Sequence, residues 1–465
     1  MADPVPGKRP FLFHPRGGRN SRGKPGPRPG LPPHDKSSDA GRPTAEWLIL
    51  AYMAADNDLE GELLADLAEM ERVGSTPGAV EVLAQVDRSP GHDASKGNWH
   101  GTRRYYVTRG EDPRRIHSRL LADLGPTNTG DARVLEGFIG FGVERYPAER
   151  TALILMNHGS GFYVPPEMLS RGTDRRERGG PSPATEPRRR RRKRPLFHTT
   201  REQLQQQPPI SRGIAYDDTS GDCLDNQELK RLLARAHRLL GRKVEVVGMD
   251  ACLMTMIEVA YQLRDHAQVL VGSEELEPGP GWPHSAILGD LTKNPTMTPA
   301  ELGATIVQRY VESYRHGAEE ATQSAVDLGR LDDLVEAVDG LARALLRDVR
   351  RAHVATALHL AWRRALHFFE HAYVDLHHFA VELGRATDAR IIRQACGAVR
   401  RAIEGQGAES PLIAEAYAGP RMAPARGLSI YFPAYRNPSV QYQALDFARR
   451  TRWAEFLEAY LGEGR

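Results

Sequence analysis

Two positions in this sequence combine a reactive residue type with a setting that could put it to use. His158 lies in Asn157-His158-Gly159-Ser160-Gly161, a polar turn directly behind the apolar run 151–156. Cys252 lies in Asp250-Ala251-Cys252-Leu253-Met254, behind the apolar run 244–249 and ahead of helical spacing over 255–263. A cysteine at a helix start faces unpaired backbone N–H groups, whose partial positive charge lowers the thiol pKa and raises the thiolate fraction. A histidine within reach can carry the proton to a leaving amine, so such a pair suits acyl transfer. Burial is the competing account, because unpaired cysteine is among the most buried residue types. Cys223 and Cys396 stand in no comparable setting and read as structural.

A second chemistry is written in His367-Phe368-Phe369-Glu370-His371, which fits H-x-x-E-H. On a helix, two such histidines share a face that can hold Zn²⁺ while the glutamate activates water. The neighbourhood also contains His353, His359, His377 and His378, so histidines four apart arise there by coincidence, and no third ligand is marked. Asp217, Asp218, Asp222 and Asp225 form an acidic cluster without the oxygen, glycine and glutamate spacing of an EF-hand loop. Turn and cap roles account for it.

These residues need a frame, and the hydrophobic pattern supplies one. Buried strands are predicted at 47–52, 80–86, 151–156, 244–249 and 269–272, with an edge strand or hairpin partner at 103–108. Between them, helical spacing runs over 59–73, 131–144, 229–240 and 255–263, and Asp225 with Glu228 forms a capping-box pattern. Alternating strands and helices point to an α/β fold with a mostly parallel sheet covered on both faces. In such sheets functional groups gather beyond the carboxyl ends of the strands, where His158 and Cys252 stand. Beyond 327, helices at 328–350 and 391–403 and late strands at 412–417 and 428–432 suggest an α+β subdomain over 328–465, packed on the core of 45–327.

The formal net charge of +3 hides a division. Residues 1–44 hold 17 Gly or Pro and nine Lys/Arg against three acidic residues, a composition that buries too little to order itself. Its one apolar stretch, Phe11-Leu12-Phe13, is too short for a signal-peptide core, so the cytoplasm is the favoured compartment, with export left open. No window is apolar enough to span a membrane. The secondary-structure pattern is also lost over 163–211, which contains the run Arg188, Arg189, Arg190, Arg191, Arg192, Lys193 and Arg194. With the tail at about +6 and the segment 171–194 at about +8, everything else carries about −11. A polybasic run can bind nucleic acid or an anionic surface, or be a solvated insertion, and no interleaved aromatics favour nucleic acid.

Several phrases together are more specific than either reactive residue alone. The segments 52–60 (YMAADNDLE), 157–161 (NHGSG), 250–254 (DACLM), 257–261 (IEVAY), 271–275 (VGSEE), 281–283 (GWP) and 427–433 (GLSIYFP) resemble the clostripain-like cysteine peptidases, in family order and over roughly 46–433. The resemblance implies a caspase-like three-layer α/β sandwich and a Cys–His dyad cleaving after Arg, less readily after Lys. By resemblance, Cys252 is the nucleophile and His158 the general acid/base, and the amides of Gly159 and Cys252 are the oxyanion donors. Asp250 matches the acidic position that helps form the pocket for a basic side chain, where a carboxylate can pair bidentately with guanidinium. Its alternative is a strand-end helix cap.

Ser273, Glu275 and Glu277 are further candidates for that pocket, although a turn role also suits Ser273, and the sequence does not choose among Glu274, Glu275 and Glu277. Relatives are commonly processed between the catalytic His and Cys, which makes the run from Arg188 to Arg194 a candidate processing or cleft-occluding segment. Some relatives depend on calcium, so calcium is a candidate cofactor without a recognised loop. The expected partners are proteins or peptides with exposed Arg or Lys. The competing readings are an inactive caspase-like scaffold or basic-tailed binding protein, and the zinc peptidase of 367–371.

Overall fold

The computed structural model describes residues 44–162, 213–405, 410–433 and 440–462. The basic tail up to residue 43 and the run from Arg188 to Arg194 lie outside the described residues. Five strands form the parallel centre of a nine-stranded sheet: β1 (Ala45–Ala55), β2 (Val80–Arg88), β5 (Ala148–Met156), β8 (Val244–Asp250) and β9 (Ala267–Gly272), in the spatial order β9-β8-β5-β1-β2. β3 (Gly101–Tyr106) and β4 (Arg119–Gly125) continue it antiparallel beyond β2, and β10 (Ala321–Asp327) and β12 (Leu412–Ala418) do so beyond β9. Two small antiparallel pairs stand apart, β6 (Ile214–Asp217) with β7 (Asp222–Leu224) and β11 (Tyr373–Asp375) with β13 (Ser429–Tyr431).

Why the central strands read as continuous apolar runs is clear from β1. Leu48, Leu50, Tyr52 and Ala54 point into one hydrophobic core, whereas Trp47, Ile49, Ala51, Met53 and Ala55 point into the other. Both faces are dry, so both sets of alternate positions must be apolar. Helices α1 (Glu60–Val73), α5 (His284–Lys293) and α6 (Pro299–Tyr314) cover the second face. The first is covered by α2 (Ala132–Arg145), α3 (Asn226–Leu240), α4 (Ile257–Leu263) and α7 (Leu331–Asp348), with α8 (Ala352–Arg364), α9 (Leu376–Ala386) and α10 (Arg390–Glu404) built onto the same core. Each fully buried leucine in these layers contributes about 1.5–3 kcal/mol of transfer free energy. The chain ends in α11 (Val440–Gln443), α12 (Asp446–Arg450) and α13 (Trp453–Leu461). The expected three-layer α/β sandwich is therefore present.

Local signals explain several boundaries. Asp225 accepts from the Glu228 amide at 2.7 Å while the Glu228 carboxylate accepts from the Asp225 amide, the capping box legible in the sequence. Asp131 caps α2, and Thr298 with Glu301 caps α6 behind Pro299. Other features depart from the pattern. The edge strand β4 leaves Leu120 and Leu124 exposed, which hid it from an argument based on burial, and it makes 103–108 a hairpin partner one strand in from the edge. β12 joins the main sheet, so the segment after 327 is continuous with the core rather than only packed on it. Among the described residues no helix is long and apolar enough to cross a membrane.

Candidate active site

β5 and β8 are neighbours, with Met156 opposite Asp250, so the same register carried past the strand ends sets His158 opposite Cys252. The Asn157 amide still reaches the Asp250 carbonyl at 3.3 Å. Gly159 then lies against the Cys252 backbone: a Cβ on Gly159 would stand 2.3 Å from the Cys252 carbonyl oxygen. Only glycine allows that approach. Neither the Gly159 nor the Cys252 amide donates to another described residue.

His158 is buried, and its Nε2 lies 2.9 Å from Oδ1 of Asp58. The imidazole also meets Tyr216 edge-on at 6.5 Å between ring centres. Asp58 belongs to the turn between β1 and α1, which Asn57 anchors. Asn57 Nδ2 donates to the carbonyls of Ala54 (3.0 Å) and Tyr216 (2.9 Å), and its Oδ1 accepts from the Leu59 amide at 3.0 Å. Asn157 repeats the device from β5, donating to the Ala54 carbonyl and accepting from the Tyr216 amide at 2.7 Å. Two buried asparagines thus tie the ends of β1, β5 and β6 together and hold the histidine loop against the aspartate loop. Asp58 was within the Asp56-Asn57-Asp58 phrase, but short polar residues after a strand signal a turn first.

Cys252 does not stand at a helix start. It lies in a turn in which Leu253 has φ +64°, and α4 begins only at Ile257, behind Met256, which makes no side-chain cap. The expected lowering of the thiol pKa by helix N–H groups is therefore missing. Burial instead pushes the thiol well above its ordinary range, and the carboxyls of Glu277, Glu275 and Asp250 add to the shift. The Glu277 amide, donating to Sγ at 3.2 Å, offsets only part of it. Burial therefore favours the thiol over the thiolate.

Behind the cysteine, acidic groups converge. Asp250 caps no helix; its Oδ2 lies 2.9 Å from Nε2 of His284 and accepts weakly from the Trp282 amide at 3.4 Å. Glu277 packs beside Asp250, and Trp282 Nε1 donates to its Oε1 at 3.3 Å. Burial first, then the Asp250 carboxyl, holds the Glu277 carboxyl well above the usual carboxylate range. Asp66 from α1, also buried, completes the group, likewise raised by burial and then by Asp250. Gly281 borders it with φ +60°, its missing Cβ position 3.2 Å from Oδ1 of Asp250.

The other candidates are directed elsewhere. Ser273 Oγ donates to the Glu275 carbonyl at 2.9 Å and meets Thr322 Oγ1 at 3.0 Å, the turn role rather than a pocket wall. The Glu275 carboxylate accepts from Arg421 at 2.7 Å and from the Phe369 amide at 3.0 Å, fastening the loop to the 367–372 turn. Glu274 accepts from the Gly427 amide at 2.9 Å. Of the three glutamates only Glu277 adjoins Asp250.

The H-x-x-E-H motif is not on a helix. His367 pairs with Val374 in an isolated bridge, and its ring nitrogens face the carbonyls of His371 at 2.9 Å and Trp362 at 2.5 Å. Glu370 accepts from the Ala372 amide at 3.1 Å. These partners make a turn and leave no common ligand face, so the zinc-peptidase reading falls. In the acidic cluster, Asp222 accepts from Asn128 and Asp225 caps α3. Asp217 accepts from the amides of Thr129 (2.9 Å) and Ser220 (2.7 Å) and stands with Asp56 and Asp87 in a buried carboxylate group. Asp56, Asp87 and Asp217 offer carboxylate oxygens within 4.8 Å of one another, the all-oxygen donor type that calcium takes. All three cysteines are buried and form no disulfide.

Comparison with known proteins assigns the chain to a family. The family model described as the clostripain family matches residues 51–172 and 200–460. Clostripain from Hathewaya histolytica is 26% identical over 347 residues, which is 66% of this chain and 57% of that protein. A secreted C11 cysteine protease from Bacteroides thetaiotaomicron, solved with an irreversible peptide inhibitor, superposes over 90% of this chain and 99% of its own, at 16% identity and a TM-score of 0.54. An inactive zymogen C11 protease from Parabacteroides distasonis covers 88% of this chain and 98% of its own, at 19% identity and a TM-score of 0.55. The matching model, the shared fold and the strand-end histidine and cysteine agree: the chain belongs to the clostripain family.

Proposed function

We propose that this protein is a cysteine endopeptidase that cleaves after Arg, and less readily after Lys, and that it is processed within its own basic run. The observation that carries the reading is the placing of His158 and Cys252 at the ends of adjacent parallel strands, with Asp250 and Glu277 buried directly behind the sulfur. His158 takes the thiol proton as Sγ attacks the scissile carbonyl, and returns it to the leaving amine; water then hydrolyses the acyl-enzyme. With Nε2 given to Asp58, that exchange falls to Nδ1. In this reading the Gly159 and Cys252 amides, which donate to no other described residue, receive the oxyanion. An Arg side chain brings its charge to Asp250 and Glu277 as a planar donor fork, which Lys cannot reproduce.

The burial of Cys252, which disfavours its thiolate, fits a precursor better than a working enzyme. One structural relative is described as an inactive zymogen. An Arg-specific peptidase that carries Arg188 to Arg194 between its histidine and cysteine holds a substrate for itself. The test is to incubate wild type and Cys252→Ala in parallel, follow cleavage of an Arg-terminated fluorogenic peptide, and sequence new N-termini. Cuts within 188–194 and Arg-reporter turnover in wild type alone support the reading. Identical fragments in both proteins sink self-processing, and a processed protein without turnover leaves the inactive scaffold.

A further inference from the structure

The group behind Cys252 has a composition that a pocket for basic side chains does not need: it includes an imidazole. Asp66 on α1, Asp250 at the end of β8 and His284 at the start of α5 each offer a ligating atom, all within 4.8 Å of one another and all buried. The three come from separate, well-packed elements, so their convergence owes nothing to one loop. Glu277 gives an independent sign that something is missing. It is 1% exposed, it adjoins Asp250, and its Oε2 finds no hydrogen-bond donor. Among the described residues no Lys or Arg is in ion-pair contact with Asp66, Asp250 or Glu277; Lys96, the cation that bears on Asp66, gives its ammonium to the Leu64 carbonyl.

We propose that Asp66, Asp250 and His284 bind a divalent zinc ion, with Glu277 as the fourth ligand, and that the bound metal excludes a basic side chain from the pocket. One nitrogen and two or three oxygens suit zinc, whose sites mix imidazole and carboxylate in tetrahedral sets, whereas calcium and magnesium prefer oxygen alone. Zinc here would be an inhibitor and not a catalyst, since the reacting sulfur belongs to Cys252. The exclusion of a basic side chain rests on the reading of Asp250 as the specificity carboxylate; the binding of zinc does not.

Zinc inhibition of the active protein would be ambiguous, because a thiolate and its histidine also bind zinc. The experiment therefore uses the full chain carrying Cys252→Ala, titrated calorimetrically with zinc chloride. Expected is a zinc site whose affinity falls at least about tenfold on adding His284→Ala, and also on adding Asp66→Asn from another element. Melting curves identify which variants are folded. Absence of zinc binding, or affinity unchanged in both folded variants, overturns the proposal. Arginine amide as competitor separates the two readings: zinc binding that depends on His284 but is indifferent to arginine amide keeps the metal site, and overturns its inhibitory role together with the specificity pocket. Arginine amide binding with no zinc binding keeps the pocket and overturns the metal site.

Discussion

The Asp58 carboxylate stands 2.9 Å from Nε2 of His158, joining the turn after β1 to the turn after β5. The imidazole is fully buried and the carboxylate about one quarter exposed, so Asp58 fixes the ring from the solvent side. It touches neither sulfur nor substrate in the proposed reaction and is a positioning residue. Asp58→Ala is expected to lower kcat about ten- to a hundredfold with KM nearly unchanged, and Asp58→Asn, which can still accept a hydrogen bond, to recover part of the loss. Steady-state kinetics on an Arg reporter decide it. An equal loss for Ala and Asn, or an effect confined to KM, would refute the positioning role.

Much of this arrangement could be read before any coordinates, for identifiable reasons. β1, β5 and β8 are buried on both faces, so unbroken apolar runs marked them and placed His158 and Cys252 at their carboxyl ends. Asp225 and Glu228 gave the start of α3 because capping is local chemistry. The environment of Cys252 was not local. Its distance from α4 follows from a turn with Leu253 at positive φ, and its thiol is governed by burial and by residues 275–277. The choice of Glu277 over Glu275 required knowing where Arg421 lies, far along the chain. The H-x-x-E-H motif failed because its chemistry needs a helix, and the segment turns instead.

That choice between glutamates has a kinetic signature. Glu277 adjoins Asp250 and Trp282, whereas the Glu275 carboxylate is spent on Arg421 and the Phe369 amide. Glu277→Gln is expected to raise KM for Arg reporters about tenfold and to narrow the Arg-over-Lys preference, since one charge-assisted hydrogen bond is worth about 1.5–3 kcal/mol. Glu275→Gln is expected to lower the melting temperature while leaving the Arg-to-Lys ratio unchanged. Reversed outcomes would assign the pocket to Glu275.

The buried thiol sets a reactivity that processing should change. Only thiolate attacks an alkylating agent, and Cys252 is 1% exposed with its thiol pushed up by burial. In the unprocessed chain, iodoacetamide labelling of Cys252 at pH 7.5 is expected to be slower than that of a free cysteine. After a cut within 188–194, labelling should accelerate at least about tenfold. Peptide mass spectrometry distinguishes Cys252 from Cys223 and Cys396. Fast labelling before any cut would mean that the sulfur is already available and that processing does not gate it.

Asp87 links this site's neighbourhood to pH-dependent stability. Burial, with further repulsion from Asp217 and Asp56, raises its carboxyl from the ordinary 3.8 to about 7, although Thr102 donates to it at 2.8 Å. The folded state therefore binds this proton more tightly than the unfolded chain. The associated stabilisation is complete below about pH 4 and is lost as pH rises through about 7, at up to about 1.4 kcal/mol per pH unit. Asn keeps the oxygen that Thr102 needs and removes the charge. Asp87→Asn is accordingly expected to raise the melting temperature by about 2 °C or more at pH 8 and by distinctly less at pH 5. Melting curves of the Cys252→Ala protein, which cannot digest itself by the proposed route, give both values. An equal effect at the two pH values, or destabilisation at pH 8, would show that Asp87 is already ionised in the fold and that its neighbours supply a compensating charge.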